Sequence, residues 1–404
     1  MINQGHLKYL TQFDKMLLYW QNLLKDYPSH PVHGHEATSA PLTLYGDEGQ
    51  SLGGTWMNYH FRPDLSPCIS NSACSRFLIC TIPSTMYVFD ESGVNLTLQA
   101  AAAAIRESFN ALSRDGYERS EVCVPKFWVM HITGDWKFLK QTFNLERYAT
   151  HEEEPSLADV DGFTLRMLSI DLLHAFHLGV GRDLCGSAIR VLASQRRGLW
   201  PGSSIDARLE VATGRLRDFA RQNKLSLTLK KLTKSNLTWE SLKYPEIKCK
   251  GYDTYIVLKW LVEEVTMQDC GDDFLASALW AADSWLRVLS KAEMFLTEAE
   301  ELHKFHVGNL FLKSYLNLAV RALEGGKMLY RLKPKFHLLY HLVNEKRPSR
   351  LNCTLNSTWM DEDAMKKWMR ISRMVHKRTA AENTLRRFIL GFHTKLRLAN
   401  APAR

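Results

Sequence analysis

The chain has no Cys-x-x-Cys pair. Its cysteines, Cys68, Cys74, Cys80, Cys123, Cys185, Cys249, Cys270 and Cys353, are scattered, so zinc-finger spacing is excluded. They are too sparse in 404 residues for a disulfide scaffold, and the expected compartment is reducing. Long apolar runs are also missing. The best, residues 254–265 (TYIVLKWLVEEV), is short and charged, which argues against a membrane span. The start, MINQGHLKYLTQFDKMLLYW, has no secretory basic region or cleavage site, so an intracellular protein is expected. Without such a signal the NLT triplets at Asn95 and Asn236 carry no glycosylation reading. No repeat recurs at a fixed period, which removes solenoids and propellers.

What is present is the composition of a globular protein. Hydrophobic residues make up 45% and aromatics 11%, enough to exclude intrinsic disorder. The length leaves room for two or three structural units. A formal net charge of +9 suits a phosphate-rich partner, and equally suits a merely basic protein.

Residues 1–26 pattern as an amphipathic helix through Leu7, Leu10, Phe13, Met16, Leu17 and Trp20. Residues 28–41, rich in His, Pro and Gly, read as a linker, and its His30, His33 and His35 fit a solvated loop better than a metal site. Strands are expected at residues 42–47 (LTLYGD), at 55–61 after turn glycines Gly53 and Gly54, and at 76–89 with a break at Pro83. An alanine-rich helix follows at 96–112, then a strand at 127–135 (FWVMHITGD) and the helical WKFLKQTF. A fifth strand is expected at 163–173, leading through a turn at Gly179 and Gly181 into a helix. Residues 182–332 lack strand patterning and read as an all-helical insertion, with Trp260, Trp280 and Trp285 in its core. The fold class expected is α/β: an RNase H-like mixed five-stranded sheet carrying a large helical insertion. Its divisions are an N-terminal helix and linker (1–40), the first part of the core (41–181), the insertion (182–332), and a return segment with a long basic helix at 361–396 (333–404).

The acids fall at telling places. Asp47 and Asp135 each end a predicted strand, and Asp361, Glu362 and Asp363 open a late helix. Carboxylates brought together from a first strand, a fourth strand and a late helix bind Mg²⁺ or Mn²⁺, because hard cations take oxygen ligands. Two such ions act on phosphodiesters. Asp47 and Asp135 are the natural bridging pair. Successive helical residues diverge by about 100°, so only one of Asp361, Glu362 and Asp363 can face the site, and Glu362 is chosen. The other reading of all three is that they complement the helix dipole. Asp171 and His174 form a D-x-x-H string suited to orienting a phosphate or a metal-bound water, with His177 one turn on; a satisfied, partly buried histidine is the plainer reading. Along the late helix Lys366, Lys367, Arg370, Arg373, Lys377 and Arg378 form a basic face for DNA, or simply a solvated one.

Several blocks resemble CACTA-type (En/Spm-like) transposases. IDLLHAFHLGVGRDLCGSAI is similar to that family's D-x-x-H block, LKPKFHLLYHL and WMDEDAMKKWMRISRMVHKRT to its C-terminal blocks, GDWKFLKQTFNL to its second catalytic-aspartate block and LTLYGDE to its first. The similarity runs over residues 41–392. It implies a DDE transposase that cuts and rejoins DNA at transposon ends with divalent metal, in the nucleus, with a homo-oligomer left open. Its catalytic acids would fall on Asp47, Asp135 and Glu362, and its D-x-x-H string on Asp171 and His174. There are two departures. Members of that family are longer, with an N-terminal DNA-binding region, and they carry a cysteine-bearing stretch where residues 148–161 here are short, acidic and cysteine-free. Both lead to the expectation of a truncated or degenerate copy. The alternative function is therefore a catalytically inactive nucleic-acid-binding or protein-interaction remnant that keeps the fold.

Overall fold

The computed structural model describes residues 13–65, 75–116, 125–143, 155–195, 198–240 and 242–399. Expectations placed on Leu7, Leu10, Cys68, Cys74, Cys123 and residues 148–154 lie outside the described residues. The chain divides into two units. One comprises the chain up to Asp171 together with Thr358 onward; the other is Leu172–Ser357.

The first unit is built on a five-stranded mixed sheet: β1 (Ser39–Ser51), β2 (Gly54–Pro63), β3 (Phe77–Pro83), β4 (Lys126–Gly134) and β5 (Leu168–Ile170). The spatial order is β3-β2-β1-β4-β5. The β1–β2 and β2–β3 pairs are antiparallel, while β4 runs parallel to both β1 and β5. Leu52 (φ 49°) and Gly53 (φ 77°) close the β1–β2 hairpin, positive at both central positions as a type I′ turn requires.

Strand periodicity sorts β1 into two faces. Leu42 and Leu44 join Leu98, Ile105 and Phe109 of helix α2 (Leu96–Arg114) and Phe138 of α3 (Trp136–Thr142) in one core. The alternate residues, Tyr45, Asp47, Gly49 and Ser51, face the other way. There Gly49 leaves room for Met369 of helix α10 (Trp359–Ser372), and the Ser51 hydroxyl bonds that of Ser372. Trp56 and Leu78 pack with Met365, Trp368 and Met369 and with Ala380 of α11 (Ala380–Ala399) in a second core. The ends of β2 and α10 thus share this face of the sheet.

Several expected boundaries change. β1 begins at Ser39 and continues to Ser51, because the hairpin keeps pairing past Asp47. Asp47 is therefore a mid-strand residue, not a strand end. The third strand stops at Pro83, and Ser84–Met86 is a 3₁₀ turn. β5 spans only Leu168–Ile170, since Leu165–Met167 before it is another 3₁₀ turn. The long basic helix is two helices, α10 and α11, separated where Lys377–Thr379 forms a 3₁₀ turn capped by His376 Nδ1 accepting from Arg378 N. The N-terminal helix is described as α1, Phe13–Leu23.

The second unit is helical. A π-helical run, Leu173–Val180, passes directly into α4 (Gly181–Ser194), followed by α5 (Ile205–Gln222), α6 (Gly251–Met267), α7 (Asp273–Lys291), α8 (Glu298–Glu324) and α9 (Pro334–Asn344). No turn interrupts at Gly181; only Gly179 departs from helical dihedrals. Trp260 stacks on Trp200 with centroids 5.5 Å apart, and both indoles donate to Glu264. Trp285 is also buried, but Trp280 is 49% exposed and does not join that core. The KPKFHLLYHL segment and the following loop, expected to complete the sheet-bearing core, belong to this second unit, and the return begins only at Thr358. No helix among the described residues is long and apolar enough to cross a membrane.

Candidate metal centre

Gly46 of β1 and Gly134 of β4 are register partners on parallel neighbours, and an acid follows each: Asp47 and Asp135. The Phe138 ring lies over both glycines. A Cβ on Gly46 would meet it at 1.9 Å, and one on Gly134 at 2.3 Å. The two glycines are thus a packing requirement on one face of the sheet, and on β1 the following residue, Asp47, faces the other.

Asp47 is buried, and two hydrogen bonds orient its carboxylate. Tyr45 Oη donates to Oδ2 at 2.9 Å, and the Glu48 backbone N–H donates to Oδ1 at 2.6 Å. Tyr45 stands two residues before Asp47 on the same strand face. Burial, then the negative charges of Asp47, Glu362, Asp361 and Asp171, push its phenol well above the ordinary value, so it remains a donor. Sequence reasoning missed Tyr45, although a period of two in YGD was the available signal.

Helix α10 brings the second carboxylate. One oxygen of Glu362 and one of Asp47 lie within 4.8 Å of each other. Glu362 sits beside Asp47, Met369 on Gly49 and Ser372 on Ser51, so helix and strand run in the same direction. The lengths match: from residue 362 to 372 a helix rises about 15 Å, and from 47 to 51 a strand advances roughly 13 Å.

The three consecutive acids of α10 have three different surroundings. Asp361 is fully buried among one imidazole and two guanidiniums, with His60 Nε2 at 2.9 Å, Arg76 Nε at 3.1 Å and Arg62 at 3.3 Å. Burial alone would raise its pKa. The Arg62 charge, the His60 hydrogen bond and the Arg76 charge outweigh burial and hold the carboxyl well below the usual carboxylate range. Burial lowers the His60 pKa against the opposing pull of Asp361, so the imidazole is neutral and donates through Nε2. Asp363 is exposed and pairs with Lys367 at 2.8 Å, one helical turn on. Only Glu362 of the three comes to Asp47 in this way.

Asp171 reaches the start of α10. Its Oδ1 accepts from the Thr358 backbone N–H at 3.0 Å and its Oδ2 from the Thr358 hydroxyl at 2.6 Å. Thr358 is the N-cap of α10, and its carbonyl accepts from Glu362 N at 2.9 Å. Asp171 therefore fixes the start of the helix that carries Glu362. It acts as a positioning residue.

Asp135 is the N-cap of α3, its Oδ1 accepting from Phe138 N at 2.7 Å. His174 is half-buried and His177 buried on the π-helical run of the second unit. Lys366, Lys367 and Arg370 line the exposed side of α10; Arg373, Lys377 and Arg378 are exposed at its end and in the following turn. Arg373 also donates to the Gln50 carbonyl at 2.8 Å, tying the end of α10 to β1. In the former linker, His30 packs edge-on against Trp128 and is buried, while His33 and His35 are exposed.

The donor set suits a hard divalent cation. Oxygen ligands at about 2.0–2.6 Å from one ion stand up to roughly 4–5 Å apart. The Asp47–Glu362 separation falls within that span. No family model and no curated protein matches this chain.

Proposed function

We propose that the chain is a divalent-metal-dependent enzyme acting on DNA phosphodiesters, a DDE-type nuclease or strand transferase of transposon origin. The observation that carries the reading is the approach of Glu362 to Asp47, a helix-borne carboxylate to a strand-borne one. The five-stranded mixed sheet, with three strands, a helix and a fourth strand in chain order, is what an RNase H-like core would begin with and supports it. Asp47 and Glu362 would hold Mg²⁺ or Mn²⁺. Asp135, one position past the glycine that pairs with Gly46, is the further acid assigned by the resemblance. His174 enters the ligand set on the strength of the D-x-x-H block alone. When bound, the metal supplies Lewis-acid stabilisation of the phosphodiester oxygens.

The chain's own residues do the rest. Tyr45 and the Glu48 N–H hold the Asp47 carboxylate in one orientation. Asp171 anchors the first turn of α10, and Asp361 locks that turn onto β2 and Arg76. The exposed cations Lys366, Lys367, Arg370, Arg373, Lys377 and Arg378 supply a surface for the DNA backbone, which positions a duplex without reading its sequence. A DNA substrate places the activity in the nucleus.

A second reading, a nucleic-acid-binding remnant without catalysis, is favoured by one observation: Asp135 already spends Oδ1 on capping α3. Incubation of supercoiled DNA with Mg²⁺ or Mn²⁺ separates the two. Cleavage by the wild type that disappears in Asp47→Asn and Asp135→Asn supports the enzyme. Salt-sensitive DNA binding without cleavage supports the remnant. Neither binding nor cleavage overturns both.

A further inference from the structure

A second cluster of metal-ligating side chains lies in the helical unit, on a block that the proposed reaction leaves unused. Helix α9 has the sequence PKFHLLYHLVN, with proline in its first turn. Leu339, Leu342 and Val343 form its buried side. His337, Tyr340 and His341 are exposed. The two histidines are four residues apart and so lie one above the other on the helix surface. Their Nε2 atoms are 3.0 Å apart, with ring centroids at 4.5 Å and planes at 81°. The Tyr340 ring lies parallel to that of His337, the planes within 3°.

In the free state this geometry admits one proton between the two nitrogens: one Nε2 donates, the other accepts. With the donor ring in its Nδ1–H tautomer each Nε2 carries a lone pair, and on an exposed helix face the two rings can turn both towards one ion. We propose that His337 and His341 form a two-imidazole chelate for a borderline divalent transition ion, copper(II) or nickel(II) by class.

The bite and the donor type suit this class. With metal–nitrogen bonds of about 2.0–2.1 Å, two nitrogens 3.0 Å apart subtend an angle of roughly 95° at the ion. That is the cis angle of tetragonal or octahedral coordination, which copper(II) and nickel(II) adopt with nitrogen ligands. Tetrahedral zinc at the same bond length would need nitrogens about 3.3 Å apart. Helix α9 contains no Asp or Glu, so the face offers nitrogen donors without carboxylate oxygens. Hard Mg²⁺ and Mn²⁺, the ions suited to Asp47 and Glu362, have little affinity for such a pair. The imidazole pair discriminates against the hard ions, and this site stands whether or not the DNA-cleaving reading does.

The test is Cu²⁺ titration of the full chain at pH 7.5 with excess Mg²⁺ present, followed by electron paramagnetic resonance at one equivalent. Wild type should bind with nitrogen hyperfine structure from two imidazoles. His337→Gln and His341→Gln, both on an exposed face, should each lower the affinity at least tenfold and remove that two-nitrogen signature. His393→Gln, an exposed histidine on α11, should leave both unchanged. Retention of wild-type affinity by either α9 variant overturns the site, as does equal binding by wild type and the His337→Gln/His341→Gln double variant. Circular dichroism of each variant separates lost binding from lost fold.

Discussion

His60 Nε2 stands 2.9 Å from Asp361 Oδ1, and neither side chain has any exposed surface. The pair joins the middle of β2 to the first turn of α10. Arg62 and Arg76 complete it, so one carboxylate answers a neutral imidazole and two guanidiniums. The registration of α10 beside β1, and with it the position of Glu362, depends on this buried cluster.

Acid should destabilise the sheet-bearing unit through these groups. The His60 pKa is lowered, so as pH falls below about 6.5 the unfolded chain takes up a proton that the folded one refuses. His30, lowered to about 4 first by burial and then by His33, acts in the same direction between 6.5 and 4. The depressed Asp361 contributes stability that is present above its unfolded value of 3.8 and is lost as pH falls further. All three signs agree. The melting temperature followed by circular dichroism should fall from pH 7 to pH 4, and His60→Gln should flatten the upper part of that slope. An unchanged slope in the variant contradicts the assignment.

Removing the central charge should cost far more than removing its neighbour. Asp361→Asn leaves Arg62 and Arg76 buried without their shared carboxylate, a loss of about 3–5 kcal/mol. Asp363→Asn breaks an exposed pair with Lys367, worth about 0.3–0.5 kcal/mol. Urea denaturation of both variants checks the contrast. Comparable losses would show that the buried cluster is not what holds α10.

The paired glycines predict a packing defect. Gly46→Ala drives a methyl into the Phe138 ring, and Gly134→Ala meets the same ring and the Gly46 carbonyl. Each should cost about 1–3 kcal/mol. Phe138→Leu should relieve part of the Gly46→Ala cost, giving a coupling of roughly 0.5–3 kcal/mol in a double-mutant cycle. Additive losses would mean that the ring moves aside freely.

Much of this architecture was legible in the chain. Alternation in LTLYGD and FWVMHITGD, turn glycines at Gly53 and Gly54, and the alanine-rich run after Asn95 are local signals, and local signals set strands, hairpin and helix. The five-stranded mixed sheet and the helices of residues 182–332 followed from them. Boundaries did not. β1 runs past Asp47 because β2 keeps pairing with it, and the late basic helix breaks at Lys377–Thr379 because Ala380 and Leu385 turn back onto Trp56 and Leu78. Both are tertiary effects invisible to a window of ten residues. The acids show the same division. That only one of Asp361, Glu362 and Asp363 can face a given point follows from helical geometry, but that Asp361 is claimed by His60, Arg62 and Arg76 requires knowing which strand lies beside it. Asp171 read as a group for phosphate because its spacing to His174 was visible, whereas its bonds to Thr358 span 187 residues.

Metal should stabilise the wild type, and Glu362 should be the switch. The Asp47 and Glu362 oxygens lie within 4.8 Å of each other, close enough to share one ion. Glu362→Gln removes one of the two anionic ligands while keeping the side chain's size. A divalent ion that binds only the folded state stabilises it by about 2.7 kcal/mol at a hundredfold excess over its dissociation constant. Mn²⁺ should therefore raise the melting temperature of the wild type and leave Glu362→Gln unmoved. Asp171→Asn tests the positioning role on the same scale. Its amide keeps one acceptor oxygen but loses the negative charge, so the two charge-assisted bonds from Thr358 are not both kept at full strength and the cap of α10 should weaken by about 1–2 kcal/mol. The Mn²⁺ shift should shrink without vanishing, since both ligands remain. Thr358→Ala should act in the same direction, because it deletes one of the two bonds. If Glu362→Gln responds to Mn²⁺ as the wild type does, the ion is held elsewhere. If Asp171→Asn loses stability but keeps the full Mn²⁺ shift, the cap supports the fold without setting the site.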